Sequence, residues 1–553
     1  MKFKTYLKFS LILILLLVIT NINSVAAQAE PNNPIETIDF AVITPAENPP
    51  LYEAAQAIAS DWEKLGFITK ITARPFNVHN TQTREEPWPF SLVFFGWGSR
   101  PERLDPNTFL FMPFHSSQAA SGGENRIGFM NDEYDRIVDE QAKEMDINKR
   151  KALVFKAQEI LADEAVCCAL WFQDVTIFYN KDRFKNFAMM PGEGIDNEWS
   201  AMQVEPVTDD KTLRVGTIEE PDILNPLAMT STREVAFARL IFDRLVRLGP
   251  DGDPKPHMAE SWNFVSDTVI DFNLREGLKW HDGVPVTAED VVFTFNYYKK
   301  WTVAFFKPWI DPIKKVTALG PLTVRFELHE PFAPFIGGTL GQLFIIPEHI
   351  WKDIPEKVNL QHPDEWVSAD KAMIGSGPFK FEHWRRGEEI LISKNQGYFM
   401  EPKIDNYLLV MYGNSDTIVG ALEMGQLDTY TSEVRLSTTQ IEQLTKVPQL
   451  EETNSPSVGF QYLAFNARRP PFDSKALRKA LMHAIDYDLF IDTIFAGRAT
   501  PGGPGMIITP TNKAWYNPNI DIPSFNLSKT RELLSEAGYR WDSEGRIHYP
   551  EDK

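Results

Sequence analysis

The sequence predicts an α/β fold, and three observations lead there. Apolar residues recur at helical spacing in some stretches and as short unbroken runs in others, and the two kinds alternate along the chain. Hydrophobic residues make up 43% of the chain and aromatic residues 12%, enough to fill real cores and to exclude a disordered chain. The portions before and after the polar stretch Gln203 to Lys211 do not resemble each other, which argues against a tandem duplication. At 553 residues, the chain has room for three to four units of about 150 residues.

Taken in order, the first element is an address rather than structure. Lys2, Lys4 and Lys8 precede the apolar run Phe9 to Ile19, which is short for a membrane span, and Ala27-Gln28-Ala29 has the form of a signal-peptidase site. Residues 1–29 are therefore expected to be a cleaved signal peptide. No cysteine follows the run, so no lipid-modified start is expected. Leu51, Ala54, Ile58, Trp62 and Leu65 then fall on one helical stripe, closed by Gly66 where a C-cap glycine belongs. An extended segment, Ile68 to Phe76, and the apolar run Phe90 to Trp97 predict strands. Tyr134, Ile137, Val138 and Gln141 mark one helix, and Leu153, Ala157, Ile160 and Leu161 another. The run Ala165 to Phe172 reads as a buried strand. After Gln203 to Lys211, a linker with a proline, the segment KTLRVGT begins a fresh strand. The best amphipathic helix carries Leu477, Ala480, Leu481, Ala484 and Ile485, with Asp473 or Ser474 as N-cap.

Charge and cysteine usage narrow the class. The formal net charge is −20, and removing three lysines with the signal gives −20 − 3 = −23. Phosphate backbones and anionic lipid heads repel such a chain, so nucleic acid is not an expected partner. No later apolar stretch approaches the ~18 residues of a membrane helix. The two cysteines, Cys167 and Cys168, are adjacent, and bonding them to each other would strain the intervening peptide. Burial as small hydrophobes is expected of both.

Several blocks carry a more specific signal. Ala259 to Asn296 holds A-x-x-W, then L-R-x-G-x-x-W-H-D-G, then T-A-x-D-V. This reads as a strand, a tight turn at Asp282-Gly283, and a helix opened by Thr287 with Glu289 and Asp290 in its first turn. Further blocks are LRVGTIEEPDILN (Leu213 to Asn225), Gly375-Ser376-Gly377-Pro378-Phe379, RGEEILISKNQGY (Arg386 to Tyr398), Gly425-Gln426-Leu427-Asp428, Leu463 to Asp486, and Asn526 to Gly538. Together they resemble the bacterial extracellular solute-binding proteins of family 5, the oligopeptide, dipeptide and nickel receptors of ABC importers. The resemblance implies a two-lobed periplasmic-binding-protein fold of type II, large cluster C-like, with an extra subdomain.

The order of the blocks differs from the family's. Elements expected after Arg546 stand at the front: the strand Ile38 to Val42, the helix Ala54 to Gly66, the loop Trp97 to Pro106, and the helix pair from Asn131 to Leu161. Each is present once, so a circularly permuted chain order is expected. On this basis residues 30–187 and 441–553 form the second lobe. Residues 188–210 return to the first lobe, 211–262 and 370–440 build it, and 263–369 form its extra subdomain.

The site residues follow from the same resemblance. The loop GWGSRPERLDPNT (Gly96 to Thr108) matches the family's ligand loop, in which an aspartate three residues after the tryptophan holds a peptide's ammonium group. Here that position is Arg100, in a loop two residues longer, and Asp105 is the nearest aligned acid. The candidate ligand-binding residues are Trp97, Arg100, Asp105, Asn225, Phe460 and Tyr462, with Thr230 and Ser231 weaker. Arg100 and Arg103 suit an anionic group or stacking under a sugar. His281 and Asp282 belong to a turn, and His115, Ser116 and Ser117 lack the spacing of a nucleophilic triad. No metalloprotease, hydrolase or phosphate-loop motif occurs. The expectation is a monomeric periplasmic receptor, not an enzyme, with no metal or cofactor. It captures a peptide or peptide-like solute by lobe closure for an ABC permease. An oligosaccharide receptor, favoured by the chain's 14 tryptophans, or a sensory or chaperone-like periplasmic partner are the alternatives.

Overall fold

The structure, a computed structural model, describes residues 31–229, 231–301 and 306–551, with the side chains of Glu102, Pro308 and Ala369 left out. The expected signal peptide lies outside the described residues. In chain order the principal elements are β1 (Ile38–Ile43), α1 (Pro49–Lys64), β2 (Thr69–Arg74), β3 (Leu92–Trp97), α2 (Asp132–Lys143), α3 (Ile147–Glu164), β4 (Cys167–Gln173), β5 (Val175–Asn180), α4 (Glu198–Gln203), β6 (Thr212–Thr217) and α5 (Thr232–Ala238). There follow β7 (Ala259–Ser266), β8 (Val269–Leu274), α6 (Ala288–Trp301), β9 (Ile313–Gly320), β10 (Thr323–Leu328), β11 (Phe379–Arg385), β12 (Glu389–Lys394), β13 (Asn406–Met411) and β14 (Thr429–Tyr430). The last are β15 (Leu450–Ser455), β16 (Phe460–Phe465), α7 (Lys475–Leu481), β17 (Ala499–Pro501) and α8 (Leu527–Glu536).

One sheet draws on both ends of the sequence. Its six strands run β2–β1–β3–β16–β4–β17. The β1 pairings are parallel, and those of β3 with β16, β16 with β4 and β4 with β17 are antiparallel. The unbroken apolar character of β3, β4 and β16 has a plain cause: both faces of the sheet are covered, so alternate residues feed two cores. Phe94, Cys168, Leu170, Leu463 and Phe465 face α1 and α7, where Trp62, Leu477 and Leu481 complete one core. Val93, Phe95, Cys167, Ala169, Tyr462 and Ala464 face α2 and α3, with Tyr134, Val138 and Leu161. The adjacent cysteines thus enter opposite cores, and both are free thiols.

Local signals set the helix ends. Asn48 caps α1 through its side chain, with proline in the first turn. Ser474, rather than Asp473, caps α7. That helix is shorter than its apolar stripe suggests. Residues Met482–Ala484 tighten into a 3-10 turn, and Ile485 leaves helical geometry so that Asp486 can cap the next short helix.

A second sheet runs β11–β12–β13–β6–β14. Leu213, Val215, Ile390, Ile392 and Leu409 form its core, and Phe184, Ala201 and Val204 pack against it from the segment that follows β5. A third, antiparallel sheet, β7–β8–β10–β9, packs Ile270, Phe272, Val324 and Phe326 on Val291, Phe295 and Tyr298 of α6. The W-H-D-G stretch is a turn here: Gly283 has φ +91°, which a side chain would strain. His281 ties it to the glycine-rich turn, with Nε2 3.1 Å from the Gly377 carbonyl and Nδ1 accepting from the Gly375 N–H at 3.2 Å.

The two large sheets are joined by paired strands. β5 leaves β4 and reaches the second sheet, where the Asn180 N–H donates to the Asp428 carbonyl at 2.8 Å. β15 returns the chain to β16, and β5 and β15 pair antiparallel from Val175–Ser455 to Asn180–Leu450. The first and last described segments also meet. The Ile35 N–H donates to the Ile547 carbonyl at 3.1 Å, the Tyr549 N–H donates to the Asn33 carbonyl at 3.0 Å, and Pro34 bridges His548 antiparallel. Among the described residues, no helix is long and apolar enough to cross a membrane.

Candidate ligand site between the two large sheets

The site is built first from the end of β3. Trp97 pairs with Phe460, and the chain then turns at Gly98. Ser99, buried, holds that turn: its Oγ is 2.8 Å from Ser457 Oγ and accepts from the N–H groups of Val458 and Gly459 at 3.2 and 3.0 Å. The two backbones approach so closely that a Cβ on Gly459 would lie 2.2 Å from the Trp97 carbonyl oxygen. A side chain at 459 would push the loops apart.

From this rigid ledge Arg100 reaches across to the other half of the molecule. Arg100 is 5% exposed, and its Nε donates to Thr232 Oγ1 on α5 at 3.3 Å. Gly98 faces the same hydroxyl, at 3.2 Å from an added Cβ. Arg103 lies over the half-buried Trp97 ring, 5.1 Å from its centroid. Trp97 and Arg100 are therefore brought to the boundary, as is the Thr232 end of α5.

The other candidates are placed elsewhere. Asp105 is engaged within its own half, where Arg150 grips both carboxylate oxygens at 2.8 and 2.9 Å and the Asn107 N–H adds a third bond. Asn225 is fully buried. Its Nδ2 donates to carbonyls of the 363–366 turn, at 2.9 Å for Pro363 and 3.2 Å for Trp366, and its Oδ1 accepts from the Leu227 N–H. The amide pins a turn and has no polar atom left for a solute. Phe460 and Tyr462 are core aromatics, packed 5.4 Å apart, with Phe109 edge-on to Phe460 at 5.1 Å. Ser231 caps α5 in a capping box with Glu234, and Thr230 lies outside the described residues.

The side of the site facing Arg100 was only half legible in the sequence. Behind α5 lies a band of buried ion pairs. Arg233 meets Asp196 at 3.0 Å, Arg239 meets Glu193 at 2.7 Å, and Arg247 meets Glu198 at 3.0 Å, with Arg244 also on Glu198. Burial pushes the Glu198 carboxyl up, but Arg244, Arg247 and Arg239 outweigh it and hold it below the usual range. In front of that band, Ile218, Glu219 and Glu220 follow β6 on the surface, and Glu433 and Arg435 follow β14. The Glu433 side chain is 10% exposed, 3.7 Å from Arg233, and neither of its oxygens is hydrogen-bonded.

Glu219 and Arg435 are both exposed. Desolvation lifts Glu219 to about 7, the Glu433 carboxylate adds to the rise, and Arg233 and Arg435 oppose it. Desolvation likewise draws Arg435 down, against the pull of Glu433 and Glu219. The signal available in the sequence was the charged E-E and E-V-R steps just after strands β6 and β14. A small cavity of about 20 Å³ beside Arg233 and Tyr407 has room for about one water and is no solute site.

The His115–Ser117 pair, away from this boundary, is not set up as a nucleophile and base. His115 and Ser117 do meet, at 2.8 Å, but His115 Nδ1 also accepts from the Ser117 N–H, so the ring acts as a helix cap. Its Nε2 is 3.5 Å from Asp139 and 3.8 Å from Asp135, beyond the reach of a good triad bond. Among the described residues no three His, Cys, Asp or Glu side chains converge as a metal site.

Two large sheets joined by a strand pair are the arrangement expected of a two-lobed binding protein. The family described as bacterial extracellular solute-binding proteins, family 5 (middle), matches residues 253–552, more than half of the chain, and the protein belongs to that family. It is 27% identical over 338 residues to the oligopeptide-binding protein AppA of Bacillus subtilis, covering 59% of each chain. It is 28% identical over 337 residues to the glutathione-binding protein GsiB of Salmonella paratyphi A, covering 57% of this chain and 59% of that one. The matched stretch thus spans about three-fifths of the length of these curated relatives. NikZ of Campylobacter jejuni, solved in complex with Ni(L-His), shares the fold. It superposes with a TM-score of 0.50 at 21% identity over 62% of this chain and 66% of that one.

Proposed function

We propose that the protein is the solute receptor of an ABC importer, closing its two lobes on a peptide or peptide-like solute and delivering it to the permease. One observation carries this reading: the two large sheets are connected through the adjacent strands β5 and β15, and Arg100 at the end of β3 reaches across their boundary to Thr232 on α5. Two neighbouring strands form a natural hinge, because twisting them moves whole sheets with few other bonds to break. The lobes then divide at this strand pair, with residues 31–174 and 456–551 on one side and 181–449 on the other. The third sheet is the extra subdomain. Family membership supports an extracellular or periplasmic location and a binding rather than catalytic role.

The sheet shared by the two ends of the sequence supports a circularly permuted chain order. Strands β1 to β4 lie ahead of the first-lobe segments in the sequence, yet they share a sheet with β16 and β17. Small-angle X-ray scattering tests the closure. A pool of short peptides at saturating concentration is expected to lower the radius of gyration. A bound pool with an unchanged profile sinks the hinge reading.

A further inference from the structure

Besides the Arg100 contact, the two halves of the molecule meet at the end of the extra subdomain. The helix α2 ends at Lys143, and its last carbonyls lack partners within the helix. The Glu140 carbonyl accepts from the Glu144 N–H at 3.0 Å and the Gln141 carbonyl from Arg150 Nε at 3.1 Å, both inside the same lobe. The Ala142 carbonyl is met from across the boundary. Ala333, in the segment that follows β10, donates its N–H to that carbonyl at 2.7 Å. Lys143 and Glu330 pair beside this bond at 2.8 Å, both exposed.

A close fit accompanies the bond. Leu104 is fixed in its own lobe, where its carbonyl accepts from Asn512 Nδ2 at 2.8 Å. Its side chain lies against Gly252, in the turn of the hairpin Val246–Leu248 and Pro254–Pro256 of the other lobe. A Cβ on Gly252 would stand 2.6 Å from Leu104 Cδ1, so the fit needs a residue without a side chain there. That hairpin and the Ala333 segment are packed together, since a Cβ on Gly337 would lie 3.3 Å from Pro254 Cγ. Next to these contacts the boundary stands open. A groove of about 700 Å³ is lined by Glu140, Lys143 and Lys149 of α2 and α3 and by Asp267 of the β7–β8 turn. The contact is therefore narrow, and it can break without disturbing either core.

We infer that this contact is a latch, through which the extra subdomain holds the two lobes together in part before any solute arrives. The latch rests on the two-lobe reading and goes beyond it, since it acts without solute. Opening takes from α2 the partner of its terminal carbonyl and separates Leu104 from Gly252. One hydrogen bond and one apolar contact favour the closed form by roughly tenfold, enough to bias the lobes and too little to lock them.

Hydrogen exchange and small-angle scattering on the solute-free full chain test this. Pro331 and Pro334 carry no N–H, so the Ala333 amide is read with little overlap. It is expected to exchange about tenfold more slowly than in an unstructured peptide of the same sequence. In Gly252→Asn, asparagine tolerates the positive φ of +82° but drives a side chain at Leu104. That variant should bring the Ala333 amide to within about twofold of the unprotected rate and raise the radius of gyration. Adding Leu104→Ala makes room again and should restore most of the protection. The amides of β8 and β10 should exchange alike in all three chains, which shows that the subdomain is folded. An unprotected Ala333 amide in the wild type overturns the latch, and so does a Gly252→Asn chain that keeps its protection and its size. Loss of protection that Leu104→Ala does not relieve also overturns it, because the cause is then strain at residue 252. A peptide pool that compacts none of the chains sinks the receptor reading alone, because the Ala333 amide judges the latch without solute.

Discussion

If the sheet is the unit of folding, the order in which the chain supplies its strands should be nearly immaterial. The perturbation is a reordered chain: residues 209–551 first, then a short glycine–serine linker, then residues 31–208. The join is favourable because the Tyr549 N–H already bonds the Asn33 carbonyl at 3.0 Å and Pro34 bridges His548, as the two arms of a hairpin do. The new ends fall between Thr208 and Asp209, where the local bond lost is a weak one, Thr208 Oγ1 to the Asp210 carbonyl at 3.4 Å, while the Arg183–Asp210 pair at 3.0 Å re-forms across space. The bonds that matter stay within one piece or re-form across space. Val207 N–H still donates to the Arg183 carbonyl at 2.7 Å, and Arg214 still holds Asp210 at 2.8 Å. What changes is one short loop closed and another opened, and each doubling of loop length alters stability by only about 0.6 kcal/mol. The reordered chain is therefore expected to unfold within about 2 kcal/mol of the natural order. Its urea m-value should be unchanged, because the same surface is exposed. Urea unfolding followed by tryptophan fluorescence and circular dichroism on both chains gives the comparison. A reordered chain that is insoluble, or that melts in an added early transition, refutes the claim that the six-stranded sheet is one cooperative body.

Removing the carboxylate in Asp105→Ala leaves Arg150, 5% exposed, without its bidentate partner, and should cost about 3–5 kcal/mol in urea denaturation. His79 and His257 are buried and neutral, with pKa values lowered to about 4, first by desolvation and then by Arg126 and Arg247 respectively. The unfolded chain binds their protons from pH 6.5 downward and the folded chain does not, so stability should fall between pH 6.5 and 4, by up to about 3 kcal/mol per histidine. Chemical denaturation at stepped pH measures the slope. Burial pushes the Cys168 thiol up to about 12 and raises Cys167 as well, so neither should react with a maleimide until the protein is unfolded.

What the sequence reveals and conceals follows from the range of each interaction. Apolar runs announce their own burial, so β3 and β4 were visible within two residues, and Ser474 and Asn48 act on backbone three residues away. Trp97 and Arg100, at the end of such a run, were legible as residues of the boundary between the two large sheets. Asn225 looked like a cleft residue, polar and beside a proline, because its partners lie 138 to 141 residues further on. Arg233, Arg239, Arg244 and Arg247 would pass for a solvated helix face. Their acids, Glu193, Asp196 and Glu198, come from a segment some 40 residues upstream that tertiary packing alone brings beneath them. Asp105 was misleading for the same reason: nothing local marks Arg150 as its counterion.

The bonds across the boundary bear on how the lobes move. Among them are Arg100 to Thr232 at 3.3 Å, Lys143 to Glu330 at 2.8 Å, and the Ala333 N–H to the Ala142 carbonyl at 2.7 Å. The Lys143–Glu330 pair is exposed and contributes little. On the receptor reading, a solute shifts the balance between open and closed forms only by as much as it binds one better than the other, so contacts to both lobes at once are what drive closure.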